Sequence, residues 1–354
     1  MQPPTMVIAT GGTAGHVVPA LAVAAALRDE GARVHFIGAH RAEAQLVPAA
    51  GFPLHQISVE GLDRGNPLKA LRALVQAPIA LLSSLRLLAR LKPSAVLGGG
   101  GYVAGPVGLA AVLLRIPLVL SEADSHLGLT NRLLARFAQR ICLSFQIPGL
   151  EGERYLLSGR PIPAFDSDRQ SARHALGIAP EEHCLLVFGG SLGARSINLA
   201  AIDAFDGGDF HVLHIAGRRD YPELAARRTS PRYDLRDYMN IEEFSSALSA
   251  ADLVLSRAGG SVFEIAAHGL PAILVPYPHA TADHQSTNAR WMADAGGAIV
   301  IEDGELDPGR LRQTVDALLG DRDRLGEMAA ASLRLARPDA ASVIAGELYR
   351  AAGR

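Results

Sequence analysis

Met6-Val7-Ile8-Ala9-Thr10-Gly11-Gly12-Thr13-Ala14-Gly15-His16 joins a short apolar run to a glycine turn, and Cys184-Leu185-Leu186-Val187-Phe188-Gly189-Gly190-Ser191-Leu192-Gly193 repeats the device in the second half of the chain. An apolar run this short, bounded by glycines, reads as a buried strand, and the alanine- and leucine-rich stretch after each turn reads as a helix. The pattern continues outward in both directions. Further strands are predicted at Val34–Ile37, His55–Val59, Ala95–Leu97, Leu118–Leu120 and Ile141–Ser144, then at His211–Ile215, Leu253–Leu255, Ala272–Val275 and Ala298–Ile301. Helical stretches separate them, which is the signature of βα units and a parallel sheet. The fold class is therefore α/β, with the second half restarting the architecture of the first.

A chain of 354 residues suits two domains of roughly 150 residues each better than one oversized core, and two domains predict a cleft. The proline-rich stretch Gly159–Asp166 resists helix and is the predicted connector. Residues 1–162 and 163–337 are the expected domains, with 338–354 returning as a helix to the first. Hydrophobic residues at 49% and charged residues at 20% exclude a disordered chain. A formal charge of -2 provides no general attraction for nucleic acid. Two cysteines, Cys142 and Cys184, are too few for a disulfide framework or a four-cysteine zinc site and fit a reducing cytosol. The first residues lack the pattern of a secretory signal, and no apolar stretch reaches the ~18 residues of a spanning helix.

Glycines at strand ends let the backbone approach a ligand, and the helix that follows offers free N–H groups to an anion. A third such turn, Gly98-Gly99-Gly100-Gly101-Tyr102, follows the strand at Ala95–Leu97. Three turns of this kind predict phosphate ligands at the carboxyl ends of the strands. A P-loop is excluded, because Lys69 and Lys92 are the only lysines and neither adjoins a glycine turn. A dinucleotide fingerprint is disfavoured by the G-G-x-x-G spacing and by the missing carboxylate after Phe36-Ile37-Gly38-Ala39-His40, which leaves NAD as the second choice. A nucleoside diphosphate bound between two Rossmann-like halves is the first.

The ordered set Gly11–His16 with Pro19, Gly98–Pro106, Gly128-Leu129-Thr130-Asn131, Gly189–Ala194, Ser256-Arg257-Ala258-Gly259, Glu264-Ile265-Ala266, Gly269-Leu270-Pro271 and Asp283-His284-Gln285 with Asn288-Ala289 resembles the MurG family of bacterial wall-building glycosyltransferases over nearly the whole chain. The resemblance implies a GT-B fold, two Rossmann-like parallel-sheet domains facing across a cleft. It implies inverting transfer of N-acetylglucosamine from UDP-GlcNAc to the MurNAc C4 hydroxyl of lipid I, without a metal or cofactor. Other wall-synthesis proteins are implied as further partners, and the cytoplasmic face of the plasma membrane as the location. Donor contacts implied residue by residue are Thr13, Ala14, Gly15, Asp124, Ser191, Ile241, Gly259, Gly260, Ser261, Glu264 and Gln285. Gly12, Thr13, Gly15, Gly100, Gly101 and Tyr102 would face the acceptor diphosphate. His16 is the first choice of general base because imidazole titrates near neutrality, with Glu122 and Asp124 as alternative carboxylates and a purely positioning His16 as the rival reading. Ala14, Ser121, Asp124, Pro163 and Leu192 depart from the family pattern. A related transferase with another acceptor and a non-catalytic nucleotide-sugar binder are the competing functions.

From Arg64 to Ser121 the chain carries seven basic residues and no acidic one. Lys69, Arg72, Arg86 and Arg90 flank an apolar stretch, Leu68–Leu91, so an anionic membrane surface is the expected partner, at roughly 1 kcal/mol per basic residue near it. Asp166-Ser167-Asp168 and Asp321-Arg322-Asp323 have the Asp-x-Asp spacing of metal sites but read as solvated charge.

Overall fold

The computed structural model describes residues 3–60, 67–165, 168–190, 193–280 and 283–353, with side chains left out for 67–75. Lys69 and Arg72, as side chains, and Arg64, Asp166, Ser191 and Leu192 therefore lie outside the described residues. The chain divides into two compact units, Met1–Pro163 with Arg337–Arg354, and Ala164–Ala336.

The first unit runs β1 (Thr5–Ala9), α1 (Ala14–Asp29), β2 (Arg33–Gly38), α2 (Glu43–Ala49), β3 (Leu54–Gln56), α3 (Pro67–Leu91), β4 (Ala95–Gly98), α4 (Ala104–Leu113), β5 (Leu118–Glu122), α5 (Leu129–Leu134), β6 (Arg140–Leu143) and β7 (Tyr155–Leu157). Its strands lie in the order β3-β2-β1-β4-β5-β6-β7, and every pairing is parallel. Met6, Ile8, Val34 and Phe36 pack against α1, whereas Val7, Ala9, Ile37 and Val96 pack against the α3 and α4 side. Apolar layers on both faces explain why these strands read as continuous hydrophobic runs rather than as alternation.

The second unit runs α6 (Arg169–Ala175), β8 (Cys184–Phe188), α7 (Arg195–Phe205), β9 (His211–Ile215), α8 (Tyr221–Arg227), β10 (Tyr233–Arg236), α9 (Ile241–Ala250), β11 (Leu253–Ser256), α10 (Val262–Ala267), β12 (Ala272–Leu274), α11 (His284–Asp294), β13 (Ala298–Val300), α12 (Pro308–Leu319) and α13 (Arg322–Leu335). Its sheet is again parallel, in the order β10-β9-β8-β11-β12-β13. The last helix, α14 (Ala340–Ala351), belongs to the first unit, where Ile344, Ala345 and Leu348 join the core and Tyr349 donates to the Glu30 carbonyl at 3.1 Å.

Two strands escape the sequence reading. β7 is three residues on a sheet edge, and β10, Tyr-Asp-Leu-Arg, has two charges that mask its apolar pair. Both Asp-x-Asp stretches cap helices: Asp168 accepts from the Gln170 and Ser171 amides at the start of α6, and Asp321 accepts from the Arg324 amide at the start of α13. Cys142 and Cys184 are free and buried, and burial pushes both thiols up to about 12.

A polar chain runs through the core of the second unit. His214 on β9, Tyr233 on β10 and Asn198 on α7 are each fully buried. Asn198 Nδ2 donates to the Ala216 carbonyl at 2.8 Å and to Asp220 Oδ2 at 2.9 Å, so its Oδ1 must accept from His214 Nε2–H at 3.0 Å. His214 Nδ1 then accepts from the Tyr233 hydroxyl at 2.7 Å. Burial holds the imidazole neutral and pushes its pKa down to about 3. The unfolded chain binds this proton below pH 6.5 and the folded chain does not. The residue should therefore cost up to about 1.4 kcal/mol of stability for each pH unit between 6.5 and 3, with its full contribution present above 6.5. Denaturant titrations at pH 7 and pH 5.5 should show that loss, and His214→Gln should flatten the slope; an unaltered slope would disprove it.

Candidate active site at the two switch points

In both sheets the order in which strands are added reverses beside the first strand, between β1 and β4 in one unit and between β8 and β11 in the other. Ligands of open α/β sheets bind at such points, outside the carboxyl ends of the strands. The glycine turns stand there. Gly12, Gly100 and Gly101 have φ of +119°, +88° and +76°, a region that side chains disfavour. A Cβ at Gly101 would overlap the Gly11 carbonyl oxygen, so the first and third turns touch backbone to backbone.

His16, in the first turn of α1, packs its ring against Gly100, and its Nδ1 is buried with no hydrogen-bond partner among the described residues. Burial, then the Arg160 guanidinium, lower its pKa below 6.5, while Asp124 acts in the opposite direction. The imidazole is accordingly neutral at pH 7 and able to take a proton. Tyr102 lies under the Arg41 guanidinium, 5.3 Å from ring centroid to Cζ. The structure thus brings His16, Gly100, Gly101, Tyr102 and Asp124 together with the first turn.

Hydrogen bonds engage two of the groups given roles from the sequence. The Gly12 amide donates to Glu43 Oε2 at 3.0 Å, so it is not free for an acceptor diphosphate. Glu122 is buried, with Oε1 accepting from the Asp124 amide at 3.1 Å and Oε2 from the Gly128 amide at 2.8 Å and Asn131 Nδ2 at 2.9 Å. Burial raises its pKa against the pull of these donors. A carboxylate so occupied braces the turn after β5 and holds Asp124 in place; it is poorly arranged to act as a base.

Glu43 and Arg160 are residues that the sequence reading missed. Glu43 is fully buried and also accepts from the Ala39 amide at 2.9 Å and the Arg41 amide at 3.2 Å, tying the turn after β2 to the first glycine turn. Arg160, buried in the proline-rich stretch, donates to the carbonyls of Gly15 and Ala123. It links the turns after β1 and β5 and adds positive charge beside His16. The only sequence signal for either was its isolation: an acid at the start of a helix, and an arginine between glycine and proline.

In the second unit, Gly190 and Gly193 have φ of +89° and +72°, and the Gly193 amide donates to the Gly190 carbonyl at 2.9 Å. Ile241 opens α9, whose Asn240–Glu243 capping box fixes its start. Phe244 meets Phe188 edge-on at 5.0 Å, which draws the first turn of α9 toward the end of β8. Gly259, Gly260 and Ser261 lead into α10, and half-buried Glu264 stands in its first turn. Gln285 Oε1 accepts from the Tyr277 amide at 3.0 Å, and Asn288 Nδ2 donates to the Ala258 carbonyl at 3.0 Å. Arg257, buried, donates to the carbonyls of Val275 and Pro276 at 3.1 Å and pairs with Asp303 at 2.6 Å. These bonds lock the turns after β11 and β12 to α11.

Two Rossmann-like parallel sheets, each with a glycine turn at its switch point, are the architecture of the GT-B fold of glycosyltransferases. Residues 6–143 match the Glycosyltransferase family 28 N-terminal domain and residues 184–344 the Glycosyltransferase family 28 C-terminal domain. The chain belongs to glycosyltransferase family 28 and, within it, to the MurG family of transferases. The UDP-N-acetylglucosamine–N-acetylmuramyl-(pentapeptide) pyrophosphoryl-undecaprenol N-acetylglucosamine transferase of Moorella thermoacetica is 42% identical over 96% of this chain and 96% of its own length. The protein of the same description from Methylococcus capsulatus is 40% identical over 98% and 99%. The crystal structure of Acinetobacter baumannii MurG superposes with a TM-score of 0.76 at 31% identity, covering 98% of this chain and all of that one.

Proposed function

We propose that this chain transfers N-acetylglucosamine from UDP-GlcNAc to the MurNAc C4 hydroxyl of lipid I, forming lipid II for peptidoglycan. The observation that carries the reading is the near full-length identity of 42% to a relative described by that transfer, joined to glycine turns at both switch points. The acceptor diphosphate rests on the first unit, at Thr13, Gly15, Gly100, Gly101 and Tyr102, with the charge of Arg160 close by. The donor rests mainly on the second, with its pyrophosphate at Ser191 and the Gly259–Ser261 turn, its uracil at Ile241, its ribose at Glu264 and its sugar at Gln285. Thr13, Ala14, Gly15 and Asp124 complete the donor set.

His16 takes the proton of the C4 hydroxyl as the oxygen attacks the anomeric carbon. A new C–O bond forms on the face opposite UDP, the old one breaks, and its electron pair leaves on the β-phosphate, so the α-linked donor gives a β-linked product. Backbone amides aimed at that phosphate stabilise the developing charge, commonly by a few kcal/mol per donor.

The acceptor's lipid stays in a bilayer, and no helix among the described residues is long and apolar enough to cross one. Peripheral attachment at the cytoplasmic face fits the surface of the first unit. Ile79 and Leu82 on α3 and Leu113 on α4 are 56%, 52% and 58% exposed, and Arg86 and Arg90 on the same α3 are both exposed. Transfer of radiolabel from UDP-GlcNAc to a lipid I analogue tests the activity, and transfer to neither lipid I nor any polyprenyl-diphosphate sugar would refute it. Co-sedimentation with anionic vesicles should weaken when Lys69, Arg72, Arg86 and Arg90 are neutralised together; undiminished binding would remove the membrane assignment.

A further inference from the structure

The buried Tyr233–His214–Asn198 chain ends beneath the second glycine turn. A Cβ at Gly193 would overlap the Ala216 carbonyl oxygen, so the turn after β8 rests directly on the turn after β9. That carbonyl also accepts from Asn198 Nδ2 at 2.8 Å. Asn198 lies one turn into α7, the helix that begins as the glycine turn ends, and its own amide donates to the Ala194 carbonyl at 2.8 Å. One residue is therefore bonded on both sides of the contact, to the Ala216 carbonyl through its side chain and to Ala194, next to Gly193, through its backbone amide. Its second amide hydrogen goes to Asp220, which is buried and itself bound by Arg219 through two bonds of 2.8 Å. With both hydrogens committed, the amide cannot turn over, and its Oδ1 requires the Nε2–H tautomer of His214, whose Nδ1 is left to accept from Tyr233.

We propose that Asn198, held by its bonds to Asp220 and His214, is a positioning residue for the donor: it sets where Ala216 supports Gly193 and so where the second glycine turn stands toward a nucleoside diphosphate. The inference rests on the donor reading above. Apolar side chains could fill the same volume without desolvating four polar groups. What they could not do is fix the carbonyl that carries the turn, and a binding constellation tolerates displacements of only about 0.5 Å.

Asn198→Asp keeps the shape but sets carboxylate oxygens against the Ala216 carbonyl and the Asp220 carboxylate. Calorimetry with UDP should show Kd raised about tenfold or more, from the hydrogen bond lost and the repulsion added. The KM for UDP-GlcNAc should rise with it while the KM for a lipid I analogue stays unchanged. His214→Gln, which can still donate to Asn198, should show the same asymmetry to a smaller degree, and it serves as the test if Asn198→Asp does not fold. A variant with lowered Tm and unaltered UDP affinity would overturn the inference, as would donor and acceptor KM rising together. A wild-type chain that binds no UDP would instead overturn the donor reading and the inference with it. Wild type that binds UDP without transferring sugar would overturn the catalytic reading alone, because the calorimetric comparison needs no acceptor.

Discussion

His16→Gln is expected to lower kcat about 10²–10⁴-fold, the usual contribution of a general base, while UDP affinity is unchanged. Glutamine retains a polar group of similar reach but cannot hold a proton taken from a hydroxyl. The pH profile provides the second readout. Burial and Arg160 keep the wild-type imidazole unprotonated below pH 6.5, so the acid limb of kcat/KM should fall below 6.5, and it should be absent from the residual activity of the variant. A kcat within a few-fold of wild type, with an unmoved acid limb, would assign His16 to acceptor positioning and return the base to Asp124, the remaining carboxylate beside it. Glu122 is the weaker alternative, because three donors already occupy its oxygens.

Glu43→Gln should produce the second large effect, on stability and on the acceptor side together. The wild-type carboxylate accepts from three backbone amides through its two oxygens. An amide has one acceptor, so whichever way it turns, its NH2 faces an N–H that has no other role in the turn. Leaving one buried donor unsatisfied costs about 1–3 kcal/mol. Denaturant unfolding should register that loss. Because Gly12 is one of the three, the first glycine turn should shift away from the Gly100–Gly101 turn it touches, raising the KM for the lipid-linked acceptor while donor KM holds. Full stability in the variant would contradict the buried brace; lost stability with an unchanged acceptor KM would confine Glu43 to a folding role.

Legibility in the sequence followed the range of the interaction concerned. Glycine turns, apolar strands and helix periodicity are local, and they delimited β8 and β9 to the residue and located most other strands within a few positions. The basic, acid-free stretch around α3 was equally readable, since charge needs no coordinates. The linker was legible as a stretch of prolines, but Arg160 within it was not, because its partners, Gly15 and Ala123, are far away in the chain.

Read alone, the amino-acid order determined the α/β class, the duplicated architecture, the switch-point turns and, through motif order, the family. Each depends on residue type and spacing, which backbone sterics and apolar burial convert into structure with little help from distant parts. The tertiary structure alone decided which polar groups are available for chemistry. It committed the Gly12 amide and both Glu122 oxygens to internal bonds, left the His16 imidazole neutral beside Arg160, and buried Asn198 and His214 under the second glycine turn. Those outcomes depend on desolvation and on hydrogen-bond partners contributed by separate strands and helices, and a buried polar atom is assigned its role by whatever the fold brings within about 3 Å of it.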